Sequence, residues 1–213
     1  MKNKKTTIGI SLRVVENTDY NEKRDALSQD WSKFFEKLEI NPLLIPNTIK
    51  NISSFLEDMD VHGLILSGGD NIGDSPDRDE TEQKIIDYSF AKKIPLIGIC
   101  RGMQVLNTFF GGAIETLENS KHVGNPHSVS LNKNFASFLQ TENLQVNSFH
   151  NNIIKLENLG KNLKPFAVAN DYTIEGFYHT KLPMFGVMWH PERNLNDKNE
   201  LIIRKIFYEK INF

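Results

Sequence analysis

The sequence predicts an α/β fold, a doubly wound and mostly parallel sheet flanked by helices, with additional antiparallel strands in the second half. Two observations carry this. Up to Gly112, short apolar runs alternate with amphipathic helical patterns, an order that implies right-handed crossovers and parallel strands covered on both faces. Beyond Gly112, alternating segments are joined by turn-rich links, which suits strands that pair antiparallel.

In chain order, the first strand is "TIGISL" (Thr7–Leu12), followed over residues 24–38 by a helix with Leu27, Trp31, Phe34, Phe35 and Leu38 on one face. Spacings of three and four mark that face as core. "PLLIP" (Pro42–Pro46) and "VHGLILSGG" (Val61–Gly69) supply two more buried strands. "DRDETEQKIIDYSFAKK" (Asp77–Lys93) is a helix acidic at its start and basic at its end, as the helix dipole favours. "IPLIGIC" (Ile94–Cys100) is the next strand, with a helix directly behind it. The segments "GGAIETL", "HSVSL", "LQVNSFHNN", "KPFAVANDYTIEGFYH" and "PMFGVMWHPE" are expected to extend the sheet. A closing helix over Asn196–Ile211 carries Leu201, Ile202, Ile206 and Phe207.

The chain has 213 residues, 39 % hydrophobic and 24 % charged, enough to bury a core and far from a disordered composition. No repeat or linker interrupts it, so one domain over residues 1–213 is expected. A formal charge of −2 lacks the basic excess that nucleic acid or an anionic membrane would attract. The apolar patch behind the basic start "MKNKK" is too short for a signal or membrane segment. A single cysteine forms no internal disulfide, which makes the cytoplasm the simplest compartment.

That cysteine, Cys100, ends a buried strand where a helix begins, with Gly98 and Gly102 two residues to either side. The spacing is that of a nucleophile elbow with sulfur in place of oxygen, and the helix N-terminus favours thiolate. A plain buried cysteine is the competing reading; the glycines, the strand and the helix argue against it. An oxyanion hole could use the N–H of Arg101 and the bare backbone of Gly68 and Gly69 in "LSGGDN". Among six histidines, His190 in "GVMWHPE" ends an apolar strand, with Glu192 placed to orient it. His150 in "VNSFHNN" ends another and could line the pocket, while His122 and His127 flank a turn and His62 and His179 read as surface or packing residues. No zinc-binding spacing, Walker A loop or dinucleotide fingerprint is present, so neither metal nor cofactor is expected.

Together, "LSGGDN", "GICRGMQVLN", "VNSFH" and "GVMWHPE" resemble the class I glutamine amidotransferase-like superfamily, with its flavodoxin-like sheet. With the "RDETE" helix start, they look most like its γ-glutamyl hydrolase branch, peptidase family C26. The resemblance runs in order along nearly the whole chain. It implies hydrolysis of γ-glutamyl amides through a thioester, with Cys100 as nucleophile, His190 as acid and base, and Glu192 orienting His190. Gly69 and Arg101 would supply the oxyanion N–H groups, and Gln104 with the backbone around Ser148 and Phe149 would hold the amino-acid end of the glutamyl group. The chain departs from the branch where Asn151 and Asn152 replace a His-Gln pair, which leaves recognition of the leaving group open. Arg13 and Arg24 could meet phosphate oxygens there, or stand as solvated surface arginines. The expected partner is a small γ-glutamyl substrate, with no obligatory synthetase partner. A glutaminase subunit serving a separate synthetase, and a non-catalytic anion-binding or redox-sensing module, are the rival readings.

Overall fold

A computed structural model of the chain describes residues 6–117, 123–194 and 196–208. His122, one of the histidines considered above, lies outside them. The strands are β1 (Thr7–Ser11), β2 (Arg13–Asn17), β3 (Glu22–Ala26), β4 (Asn41–Ile45), β5 (Gly63–Leu66), β6 (Leu96–Ile99), β7 (Glu115–Thr116), β8 (His127–Leu131), β9 (Asn143–Val146), β10 (Asn152–Ile153), β11 (Leu163–Ala169), β12 (Ile174–His179) and β13 (Met184–Val187). The helices are α1 (Gln29–Leu38), α2 (Ile52–Asp58), α3 (Pro76–Lys92), α4 (Arg101–Phe109), α5 (Lys133–Leu139) and α6 (Asp197–Tyr208).

Nine strands form the main sheet in the order β4-β1-β5-β6-β13-β12-β11-β8-β9. The first five pair in parallel and the last four join antiparallel, the mixture that the two halves of the sequence predict. Every residue of β5, β6 and β13 is buried because helices cover both faces. Trp31, Phe34 and Phe35 of α1 and Ile202, Ile203 and Ile206 of α6 share one core with Ile10, Ile65 and Ile97. Ile52 and Leu56 of α2, Ile85 and Ile86 of α3, and Met103 and Leu106 of α4 share the other with Leu64, Leu66 and Leu96. The parallel strands therefore end together, and the segments that follow β1, β5, β6 and β13 meet at one edge, where ligands of such sheets gather.

Five expectations are corrected. β4 is not a buried strand: it lies at the edge of the sheet, where Asn41, Pro42 and Leu44 are exposed and only Ile45 is buried. Residues 24–26 are not helical: β2 and β3 make a charged antiparallel hairpin, and α1 starts only after Ser28, whose Oγ accepts the N–H of Asp30. The hairpin is pinned by Asp25, whose carboxylate accepts from the backbone N–H and side-chain amide of Asn47. "GGAIETL" does not extend the sheet; β7 pairs with β10 in a two-stranded sheet of its own. Leu201 is 45 % exposed, and Ile203 takes its place in the apolar stripe of α6. Neither His150 nor His190 ends a strand; they lie four residues beyond β9 and three beyond β13.

Candidate active site

Gly98 makes the elbow possible. A Cβ there would fall 2.3 Å from the carbonyl oxygen of Gly102, and one on Gly102 would fall 2.2 Å from that of Leu66; no side chain fits between backbones that close. Between these glycines Cys100 takes φ 50° and ψ −104°, a strained conformation for a residue with a Cβ, of the kind that clusters at functional sites. Its N–H donates to Val187 O at 2.8 Å, which ties the bend to β13. Cys100 is only 6 % exposed and packs against the apolar core, as a plain structural cysteine would. Backbone strain and a histidine partner set it apart.

That partner is His190. Its backbone is clamped by Asn147, which accepts the His190 N–H through Oδ1 and donates to the His190 carbonyl through Nδ2, both at 2.8 Å. Gly68 leaves room for the ring, since a Cβ there would lie 2.6 Å from His190 Cε1. Nδ1 of His190 meets Glu192 Oε1 at 2.7 Å, and both side chains are buried. Burial by itself would lower the His190 pKa, but hydrogen bonds with Cys100 and Glu192 and their negative charge outweigh it and raise the value to about 9. Cys100, which directly follows β6, and Glu192 thus both act on the His190 imidazole.

The loop after β5 is held from behind. Arg78 of α3 is fully buried and donates through Nη2 to Ser67 O at 2.8 Å and to Gly68 O at 3.0 Å. Across the trans peptide, the N–H of Gly69 therefore points to the side opposite the guanidinium. Gly69 itself has φ +127°, which glycine adopts without strain. Arg78 also bonds Glu82, which accepts from Ser11 Oγ and from the Arg101 guanidinium; Arg101 further pairs with Asp79. The Arg101 side chain thus locks α4 onto α3, while its N–H lies in the first turn of α4, where backbone donors lack intrahelical acceptors.

On the other flank, Gln104 donates to Met188 Sδ at 3.7 Å and accepts from Asn152 Nδ2 at 3.3 Å. Asn152 is placed by β10 and also reaches Asn71 and Thr116, so of the two departures from the branch pattern this one joins the site. Asn151 is exposed. Ser148 is buried, and its Oγ meets no hydrogen-bond partner among the described residues. Phe149 is 46 % exposed and packs edge-on against the His190 ring at 5.9 Å.

His150 is buried and pairs through Nδ1 with the carbonyl of Asn152 at 2.9 Å. Its Nε2 lies 3.6 Å from Glu175, which also lies 3.6 Å from His127 Nε2. Burial would raise the Glu175 pKa, yet the two imidazoles bring it down to about 2. His127 is raised, chiefly through its hydrogen bond with Glu175. Residue types alone do not single out Glu175, Arg78, Glu82 or Asn147. The signal for Asn147 is the "VNS" spelling, and for Arg78 and Glu82 the "RDETE" helix start.

Of the remaining histidines, His62 Nδ1 accepts the N–H of Thr7, and His179 Nδ1 accepts from Lys181 and Leu182 while its ring packs on Phe110. Both are structural, as expected. No cluster of metal-binding side chains occurs among the described residues. No described helix is long and apolar enough to cross a membrane.

Known proteins share both sequence and architecture with the chain. The model of the peptidase C26 family matches residues 6–192. The γ-glutamyl-CDP-amidate hydrolase of Campylobacter jejuni subsp. jejuni serotype O:2 is 36 % identical over 207 residues, covering 94 % of this chain and 96 % of that protein. Among solved structures, a Thermoplasma acidophilum protein assigned as a GMP synthase component superposes with a TM-score of 0.73 at 22 % identity, over 96 % of this chain and 94 % of that one. A Thermotoga maritima glutamine amidotransferase superposes with a TM-score of 0.64 at 19 % identity, over 98 % of this chain and 86 % of that one. The two superpositions bear out the expected architecture, and on the match over residues 6–192 the chain belongs to the peptidase C26 family.

Proposed function

We propose that the chain is a cysteine hydrolase that cleaves a γ-glutamyl amide through a thioester on Cys100, and that its substrate is γ-glutamyl-CDP-amidate. The observation that carries the chemistry is His190, whose Nδ1 meets Glu192 Oε1 at 2.7 Å and whose pKa is raised to about 9 under the influence of Cys100 and Glu192, so that it holds a proton at neutral pH. Likeness to the Campylobacter jejuni hydrolase over nearly the full length of both chains supports the nucleotide part.

On this reading Sγ of Cys100 attacks the γ-carbonyl carbon and a C–S bond forms. The N–H groups of Gly69 and Arg101 stabilise the oxyanion. The C–N bond then breaks, and the nitrogen departs with the proton from His190. Water next attacks the thioester; His190 takes its proton, the C–S bond breaks and glutamate leaves. Gln104, Ser148, Phe149 and His150 hold the glutamyl half, with Gly68 beside it. Neither metal nor cofactor takes part in these steps, and no synthetase partner is required. The phosphoramidate released is the kind of donor used to decorate capsular polysaccharide, and the proposal extends to that setting.

Cys100→Ala should abolish glutamate release while thermal unfolding stays near wild type, and a glutamine-mimicking electrophile should add its mass to wild type at Cys100 alone. Retained turnover in Cys100→Ala ends the reading. Among γ-glutamyl conjugates, the nucleotide phosphoramidate should be cleaved far faster than free glutamine. Equal rates would remove the nucleotide part, and glutamine hydrolysis that starts only when a second protein is added would favour a glutaminase serving a synthetase.

A further inference from the structure

We propose that the cleft between the β2–β3 hairpin and the turn His190–Arg193 receives the leaving group, that it suits a phosphate-bearing one, and that Arg13 and Arg193 set this specificity. The inference rests on the γ-glutamyl hydrolase reading and adds which side of the site takes which half of the substrate.

Arg13, Ser28, Trp31, Gly69, His190 and Arg193 are among the residues that line the cleft. Of the residues assigned to the glutamyl half, Gln104, Ser148, Phe149 and His150 do not line it, while Gly68 sits where the two halves adjoin; Gln104 and His150 meet through Asn152 instead. His190 lines the cleft, and on this inference the nitrogen that takes its proton leaves toward it. The half of the substrate attached to that nitrogen then lies among the two guanidiniums.

Arg13 is close to the reacting centre. A Cβ on Gly69, the glycine given to the oxyanion, would lie 3.6 Å from Arg13 Nε. The Arg13 head is fixed by donation from Nη2 to Asp70 at 2.6 Å, which occupies one end of a planar fork with five donors. Arg193 is set by Phe149, its guanidinium 4.6 Å above that ring, a cation–π contact that orients it. The carboxylates nearest these heads are engaged elsewhere as well, Glu192 with His190 and Asp70 with Arg78 at 3.8 Å. Arg24, the other arginine that the sequence offers for phosphate, bonds Glu22 within the hairpin and does not line the cleft. Ammonia leaving from glutamine would need neither guanidinium. Phosphate oxygens make short, charge-assisted bonds to such forks.

The test follows glutamate release from γ-glutamyl-CDP-amidate and from γ-glutamyl-p-nitroanilide by the intact protein and by R13Q, R193Q and R24Q, with CDP and cytidine binding measured by calorimetry. R13Q and R193Q should each lower kcat/KM for the CDP-amidate roughly ten- to a hundredfold more than for the anilide, and weaken CDP binding about tenfold or more. R24Q should change neither, and cytidine, which lacks phosphate, should not distinguish the variants. Equal losses on both substrates, or unchanged CDP binding in R13Q and R193Q, overturns the subsite. Wild-type protein that releases no glutamate from either substrate sinks the hydrolase reading instead, and CDP binding that R13Q weakens would then leave the cleft assigned to a nucleoside diphosphate.

Discussion

Glu192 Oε1 lies 2.7 Å from Nδ1 of His190, with both side chains buried in the turn that follows β13. Burial opposes the charged imidazole, and the hydrogen bonds and charges of Cys100 and Glu192 more than reverse that, to about 9. On the proposed mechanism, deprotonation of His190 removes the acid that the departing amine needs, so acylation should fall as pH rises through about 9. Glu192→Gln keeps the shape and deletes the charge. The alkaline limb of kcat/KM should move to lower pH, because the carboxylate favours the protonated ring, and kcat should drop ~10²-fold or more. An unmoved limb in E192Q would show that Glu192 does not tune His190.

The elbow glycines differ from glycines that merely relax a turn. Gly98→Ala and Gly102→Ala each drive a Cβ into backbone oxygen, so each should cost ~1–3 kcal/mol of stability as overpacking and also displace Cys100. Gly111 has φ +82° but open space around a Cβ; Gly111→Ala should cost about 1 kcal/mol through backbone strain alone. Thermal unfolding and glutamate release together check this. Activity lost in the elbow variants and kept in G111A is the expected pattern, and equal effects in all three would refute it.

Arg78 Nη2 lies 3.0 Å from Gly68 O and so sets the peptide whose N–H belongs to Gly69. Lysine keeps the charge but not the fork. If the Gly69 N–H is the oxyanion donor proposed, Arg78→Lys should lower kcat by roughly ten- to a hundredfold with little change in KM, because a misaligned donor is felt mainly in the transition state. A loss confined to KM would place Arg78 in ground-state binding instead.

These residues show what a sequence makes legible. The parallel strands are readable because β5, β6 and β13 are buried on both faces and spell continuous apolar runs, and Cys100 and His190 follow β6 and β13. The β2–β3 hairpin is not, because its strands are mostly exposed and carry charges at no helix- or strand-specific period. The helices α2 and α5 span only seven residues each, too short for a periodic stripe, although the capping side chains of Asn51 and Asn132 mark their starts. Arg78, Glu82, Arg101 and Asp79 come together only after α3 and α4 pack on the same face of the sheet. That meeting depends on tertiary contacts, which no local spacing encodes.

The same holds for Glu175, whose two histidines come from β8 and from the loop before β10. Its pKa stands at about 2 against 4.5 in a free side chain; burial opposes this, and the hydrogen bonds and charges of His127 and His150 override it. A depressed carboxylate contributes stability that is present above pH 4.5 and lost as pH falls toward 2. His127 is shifted upward, so its share is full below pH 6.5 and is lost as pH rises through its raised value. Glu175→Gln removes the charge and leaves buried imidazole without its counterion, a change expected to cost ~3 kcal/mol. The stability gap between wild type and E175Q should therefore be widest from about pH 4.5 to 6.5 and should narrow on either side. Thermal or urea unfolding across this range measures it. Because His150 shares the carboxylate and touches Asn152, E175Q should also raise KM for the glutamyl substrate more than it lowers kcat. A gap that stays constant with pH would mean that Glu175 fills space beside the site without acting through its charge.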